Sequence, residues 1–159
     1  MQRPRSWNAQ EAAEIIAEYR HMPGAMLPIL HALQDAFGHV DAAAVPMIAE
    51  ALNVSRAEVH GVITFYHDFR DQPPGQHVLK LCRAEACQSM GCESVIRYVE
   101  NRLGVALGET TADKRFTVEA VYCLGNCALS PAAMLDGKLH GRVSEESVDR
   151  LIAEAGKRP

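Results

Sequence analysis

Four cysteines in two widely separated pairs constrain this chain more than any other feature. Cys82 and Cys87 close the stretch V-L-K-L-C-R-A-E-A-C over residues 78–87, and Cys123 and Cys127 lie in V-Y-C-L-G-N-C over residues 121–127. The spacing is C-x4-C, thirty-five intervening residues, then C-x3-C. A fold that uses these thiols together must carry two distant segments to one point. Four thiolates gathered in a chain without secretory features point to a metal or cluster site.

The 159 residues amount to one domain or two small ones, long enough to bury a core. Apolar content of 48% with 23% charged residues is ordinary globular composition. No run approaches the ~18 apolar residues of a membrane span. The opening M-Q-R-P-R-S-W has no apolar core after its arginines, unlike a secretory signal. A cytoplasmic protein without membrane insertion is the expectation. Five cysteines, all in the second half, do not read as a secreted disulfide scaffold. Residues 1–75 hold five Lys/Arg against nine Asp/Glu, whereas residues 76–159 hold eleven of each, so the net charge of −4 arises in the first half. Neither half has the basic stripe that nucleic-acid binding requires.

Residues 8–70 read as four short amphipathic helices. Asn8 with Glu11 marks the first start, and Ala12, Ile15, Ile16 and Tyr19 give it an apolar stripe. Leu27, Leu30, Leu33 and Phe37 line the second before Gly38. The third begins near Val45 and Pro46 and carries Ile48, Ala49 and Leu52. Ser55 and Glu58 make a capping box for the fourth, with Val59, Val62, Ile63 and Tyr66 at helical spacing. The segment D-Q-P-P-G over residues 71–75 is the strongest break in the chain. The expected domains are therefore a helical bundle over residues 1–75 and an α/β domain over residues 76–159.

In the second half a strand is expected over residues 77–82, a helix over about 89–103 and a strand over 116–123. A hairpin then turns at Asp136-Gly137, and Ser144 caps a last helix. Two strands separated by one helix are most simply parallel neighbours joined by a right-handed crossover. Their C-terminal ends, with Cys82 and Cys123, then share one edge of the sheet, and loops carrying Cys87 and Cys127 can reach it. Gly125 lets backbone N–H groups curl towards the sulfurs. A [2Fe–2S] cluster is the favoured occupant. A structural zinc also takes four thiolates, but its usual knuckles are C-x2-C turns, and redox disulfide chemistry would call for C-x-x-C. Four buried cysteines without a ligand would leave the pairing in loop-like contexts unexplained. Cys92 falls on the apolar face of the expected helix and reads as a small hydrophobe. Arg83 and Glu85 flank the first pair with no net charge. No G-x-G-x-x-G turn opens a nucleotide site, and the seven histidines are scattered.

With this cysteine pattern on a βαβ scaffold, the chain resembles the thioredoxin-like [2Fe–2S] ferredoxin family, whose best-known member is the two-iron subunit in the NADH-oxidising arm of respiratory complex I. Residues 109–127, followed by Ala128, Leu129, Ser130 and Pro131, are similar to that family's second ligand region. Residues 27–41 and 58–66 resemble its N-terminal helical domain. Within the family, A-E-A-C-Q-S-M-G over residues 84–91 is most similar to the gamma subunit of soluble, molybdenum-containing NAD-dependent formate dehydrogenases; NAD-reducing hydrogenases use a related subunit.

The resemblance implies a thioredoxin-like α/β [2Fe–2S] domain preceded by a small N-terminal helical bundle. It implies Cys82, Cys87, Cys123 and Cys127 as ligands of one [2Fe–2S] cluster, and a cis bond between Ser130 and Pro131. It further implies a beta-type partner subunit that binds FMN and NAD and carries a [4Fe–4S] cluster. The formate dehydrogenase likeness adds a catalytic subunit with a molybdenum cofactor. On this reading the helices dock onto the partner, and the chain has no catalytic activity alone. The other class in view is a zinc-stabilised interaction module.

Overall fold

A computed structural model of the chain describes residues 5–156. Residues 1–4, which open the stretch read above as lacking a secretory core, and residues 157–159 lie outside the described range. The chain divides into two compact units between residues 73 and 74, inside the D-Q-P-P-G segment.

The first unit is helical. Helix α1 (Ala9–Tyr19) begins where the Asn8 side chain accepts the Glu11 N–H at 3.0 Å. Helix α2 (Met26–Phe37) stops at Gly38, whose φ of 78° is the left-handed cap that glycine tolerates without steric cost. Helix α3 (Ala44–Leu52) takes Pro46 into its first turn, where the missing N–H has no helical acceptor anyway. Helix α4 (Arg56–Phe65) carries the full capping box: Glu58 N–H donates to Ser55 Oγ at 3.1 Å, and Ser55 N–H donates to the Glu58 carboxylate at 2.8 Å. Ile29, Leu30, Leu33, Phe37, Ile48 and Val59 form the centre of this unit, and Trp7 meets Phe37 edge-on with ring centroids 5.1 Å apart. Helix α4 buries only Val59 completely; Tyr66 lies just past its end and is exposed.

The second unit is built on a four-stranded mixed sheet in the order β2-β1-β3-β4. Strands β1 (His77–Cys82) and β2 (Phe116–Val121) are parallel neighbours, in register from His77 opposite Phe116 to Cys82 opposite Val121. Strands β3 (Ala133–Leu135) and β4 (Lys138–His140) form the hairpin about Asp136-Gly137, and β3 lies antiparallel to β1. Leu79, Leu81, Phe116 and Val118 from the strands share one core with Val95, Ile96 and Val99 of α6 (Cys92–Leu103) and with Val148, Leu151 and Ala155 of α7 (Glu145–Ala155). Asp149 of α7 clamps α6, accepting from Tyr98 Oη at 2.8 Å and Arg102 Nε at 3.0 Å.

Two sequence-based expectations change. The helix expected over about 89–103 starts later, as α6 at Cys92, and a short helix α5 (Glu85–Ser89), which was not expected, precedes it. Gly91, at φ 82°, breaks them apart and serves as the N-cap of α6, a conformation that β-carbon-bearing residues resist. The second strand ends at Val121 rather than at Cys123.

Phe37 is 1% exposed at the centre of the helical unit. Phe37→Ala should cost about 3–5 kcal/mol through lost burial and the cavity left behind. A denaturant series following the helical signal reads this directly. The Tyr98 hydroxyl, and after it the Arg102 guanidinium, hold the Asp149 carboxyl below the ordinary aspartate range. A depressed folded-state value stabilises above the unfolded value, about 3.9, and that contribution fades as pH falls below it. Asp149→Asn should therefore flatten the acid limb of the stability-against-pH curve and leave the neutral limb with its slope.

Candidate metal centre

The parallel pairing of β1 with β2 decides where the cysteines go. Cys82 is the last residue of β1, and the Arg83 N–H extends the pairing one step further by donating to the Val121 carbonyl at 2.8 Å. On the other side of β1, the Cys82 N–H donates to the Ala132 carbonyl at 3.0 Å. The chain then enters α5, which carries Cys87. Both thiols of this first pair are buried, at 3% and 1% exposure. Cys87 was expected in a loop; one helical turn presents it instead.

The second pair follows the end of β2. Cys123 takes a φ of 141°, a region costly for any residue with a β-carbon, of order 1–3 kcal/mol. Gly125, at φ 72°, turns the loop back, and its N–H donates to Cys123 Sγ at 3.3 Å. Cys127 opens a short 3-10 turn (Cys127–Leu129), bringing its Sγ to 3.9 Å from that of Cys123. Both thiols of this pair are exposed.

Two links join the pairs. The backbone of Leu124, from the second loop, lies close enough to Cys82 Sγ to favour its charged form, as does that of Ala84. The Cys87 thiol donates to Ser130 Oγ at 3.8 Å, and the Ser130 hydroxyl donates to the Cys127 carbonyl at 2.6 Å. The Ser130–Pro131 bond is cis, as the resemblance implied.

Burial pushes the Cys82 thiol up from the ordinary range, and the proton shared with Cys123 pushes Cys127 up. Crowded thiols raise one another's affinity for protons, and binding a metal releases those protons. The donor set fits a [2Fe–2S] cluster: all four donors are soft sulfurs, supplied as two pairs, as two irons require. The Gly125 N–H already points at Cys123. Among the described residues no set of three or more Cys, His, Asp or Glu converges on one ion. Cys92 is 2% exposed in the hydrophobic core, where burial raises its thiol above the ordinary range.

Sequence reasoning missed three supports. Ser130 becomes visible only once the two loops meet. Arg83 pairs with Glu93 of α6, at 2.6 Å and 3.2 Å, rather than offsetting Glu85. Gly141 is the third: a β-carbon there would lie 2.6 Å from Leu129 Cβ, 2.8 Å from Asn126 Nδ2 and 2.9 Å from the Leu129 carbonyl. The next residues brace the same turn, the Arg142 N–H donating to the Leu129 carbonyl at 2.6 Å and the Val143 N–H to the Pro131 carbonyl at 2.9 Å.

The sequence profile of the family described as thioredoxin-like [2Fe-2S] ferredoxin matches residues 12–156. The chain belongs to this family. Its resident cofactor is one [2Fe–2S] cluster. It is 40% identical over 134 residues to the E subunit of the NADH-quinone oxidoreductase of Pseudomonas aeruginosa, covering 84% of this chain and 81% of that one. The HndA subunit of the NADP-reducing hydrogenase of Solidesulfovibrio fructosivorans is 30% identical over 91% of this chain and 85% of its own length. Among solved structures, an NAD+-reducing [NiFe]-hydrogenase in its air-oxidised state superposes with a TM-score of 0.72 at 25% identity. That match covers 86% of this chain and 23% of the hydrogenase chain. No helix of the described residues is long and apolar enough to cross a membrane.

Gly141→Ala should push the Asn126–Leu129 turn, and Cys127 with it, out of place. Iron per chain should fall by half or more while the circular dichroism of the sheet and helices holds. Unchanged iron content would show that the turn gives way without moving the sulfur.

Proposed function

We propose that this chain is the two-iron electron-transfer subunit of an NAD(H)-linked oxidoreductase assembly, with Cys82, Cys87, Cys123 and Cys127 as the four cluster ligands. One observation carries the reading: two cysteine pairs follow the matched ends of two parallel neighbouring strands, tied together through Cys82 and Ser130. When bound, the cluster takes up and returns single electrons. The chain's own residues fix and insulate it. The Cys82 and Cys87 sulfurs anchor the buried side, the Gly125 N–H faces Cys123 Sγ with partial positive charge, and the backbone of Ala84 and Leu124 favours the charged form of Cys82. Exposed Cys123 and Cys127 place the other side at the surface, where a redox partner can approach.

The helical unit, residues 1–75 in the sequence reading, serves as the docking module for a subunit that binds FMN and NAD and carries a [4Fe–4S] cluster. Its acid excess gives a basic partner surface something to meet. For the parent assembly we propose a cytoplasmic NAD-dependent formate dehydrogenase, on the likeness of residues 84–91 to its gamma subunit, with formate oxidised at molybdenum on another chain. A second reading, a subunit of NADH:quinone oxidoreductase or of an NAD-reducing hydrogenase, is favoured by the 40% identical relative and the hydrogenase superposition.

Anaerobic purification, metal analysis and EPR of the dithionite-reduced chain test the first claim. About two irons per chain and a reduced-state signal are expected, with Cys87→Ser or Cys123→Ser sharply lowering cluster content. A colourless protein with one zinc and no iron would leave only an interaction module. Capture of native partners, assayed for NAD+ reduction by formate and by hydrogen, separates the two parent assemblies.

A further inference from the structure

Arg83 is the residue on which the elements around the first cysteine pair converge. Its backbone N–H donates to the Val121 carbonyl at 2.8 Å, at the end of β2. Its carbonyl accepts from Gln88 Nε2 at 2.9 Å, from the residue after Cys87. Its guanidinium grips Glu93, in the first turn of α6, by two bonds of 2.6 Å and 3.2 Å. One residue thus ties β1, β2, α5 and α6 together, directly beside Cys82. Fork-to-fork pairing of guanidinium with carboxylate fixes direction as well as distance, which an ammonium would not do.

The pair also has an electrostatic consequence. A guanidinium is permanently charged, and one placed next to a cluster ligand would favour the reduced form, because reduction adds negative charge at the site. Glu93 is held against that guanidinium and returns the local charge to nearly zero. Cys92, which opens α6 one residue before Glu93, shares the hydrophobic core with Cys82 and Cys87.

We propose that the Arg83–Glu93 pair is a positioning and potential-setting brace for the buried half of the cluster site, in which Glu93 cancels the pull of Arg83 on the cluster's electron. The inference rests on Cys82 and Cys87 being ligands. It predicts opposite signs for the two halves of the pair, which a purely structural brace would not produce.

The test is a redox titration of the cluster-loaded chain, followed by EPR, in four forms: wild type, Glu93→Gln, Arg83→Gln and the double variant. Iron content and the reduced-state signal of the wild type first establish the cluster itself, so a failure of the ligand assignment is seen separately. At a fixed solution potential, Glu93→Gln should raise the ratio of reduced to oxidised cluster roughly threefold to tenfold, and Arg83→Gln should lower it by a similar factor. The double variant should return close to wild type. Should Arg83→Gln fail to retain the cluster, Glu93→Gln and the charge-preserving Arg83→Lys decide the matter, the first shifting the ratio upward and the second leaving it near wild type. Unchanged ratios in Glu93→Gln, or shifts of the same sign in both single variants, would overturn the proposal.

Discussion

The parallel pairing of two six-residue strands is the constraint on which the rest of this molecule depends. Cys82 stands opposite Val121, so the segments that leave β1 and β2 start from adjacent points on one sheet edge. Without that register the two cysteine pairs would be separate features of a long chain. With it, two loops far apart in the chain meet, and the backbone of Leu124 comes close to Cys82 Sγ. The apolar faces of α6 and α7 hold the register, because slipping β1 by one residue would turn Leu79 and Leu81 away from the core they share.

The two sides of the site are supported differently. The first pair is held from within: Cys82 by the sheet on both flanks, Cys87 by one turn of helix, and both by the hydrophobic core. The second pair lies on a loop in an unfavourable backbone conformation at Cys123, and its support comes from behind. There Gly141, just past β4, lies close against the Asn126–Leu129 turn, the Arg142 N–H donates to the Leu129 carbonyl, and the Val143 N–H donates to the Pro131 carbonyl. The β3–β4 hairpin therefore does more than widen the sheet; the residues that leave it brace this loop.

Much of this was legible in the sequence, and for identifiable reasons. Ser55 with Glu58, Asn8 with Glu11 and Asp136 with Gly137 act within a few residues, and local chemistry of that kind reads directly from the letters. The parallel strands followed from hydrophobic pattern and the lack of any shorter connection. The short α5 and the later start of α6 did not, because they turn on Gly91 adopting a left-handed conformation between the two. The partners of Arg83, Ser130 and Gly141 were out of reach for a different reason. Each depends on which distant backbone comes to rest beside it, and no periodicity encodes that. Glu85 was the nearer acid to Arg83 in sequence; Glu93 is the one that α6 delivers.

The two cysteine pairs differ in how the folded chain exposes them. Cys82 and Cys87 are sealed in the interior, whereas Cys123 and Cys127 face solvent. A reagent dissolved in water therefore meets the second pair while the fold is intact, and reaches the first only when the fold opens.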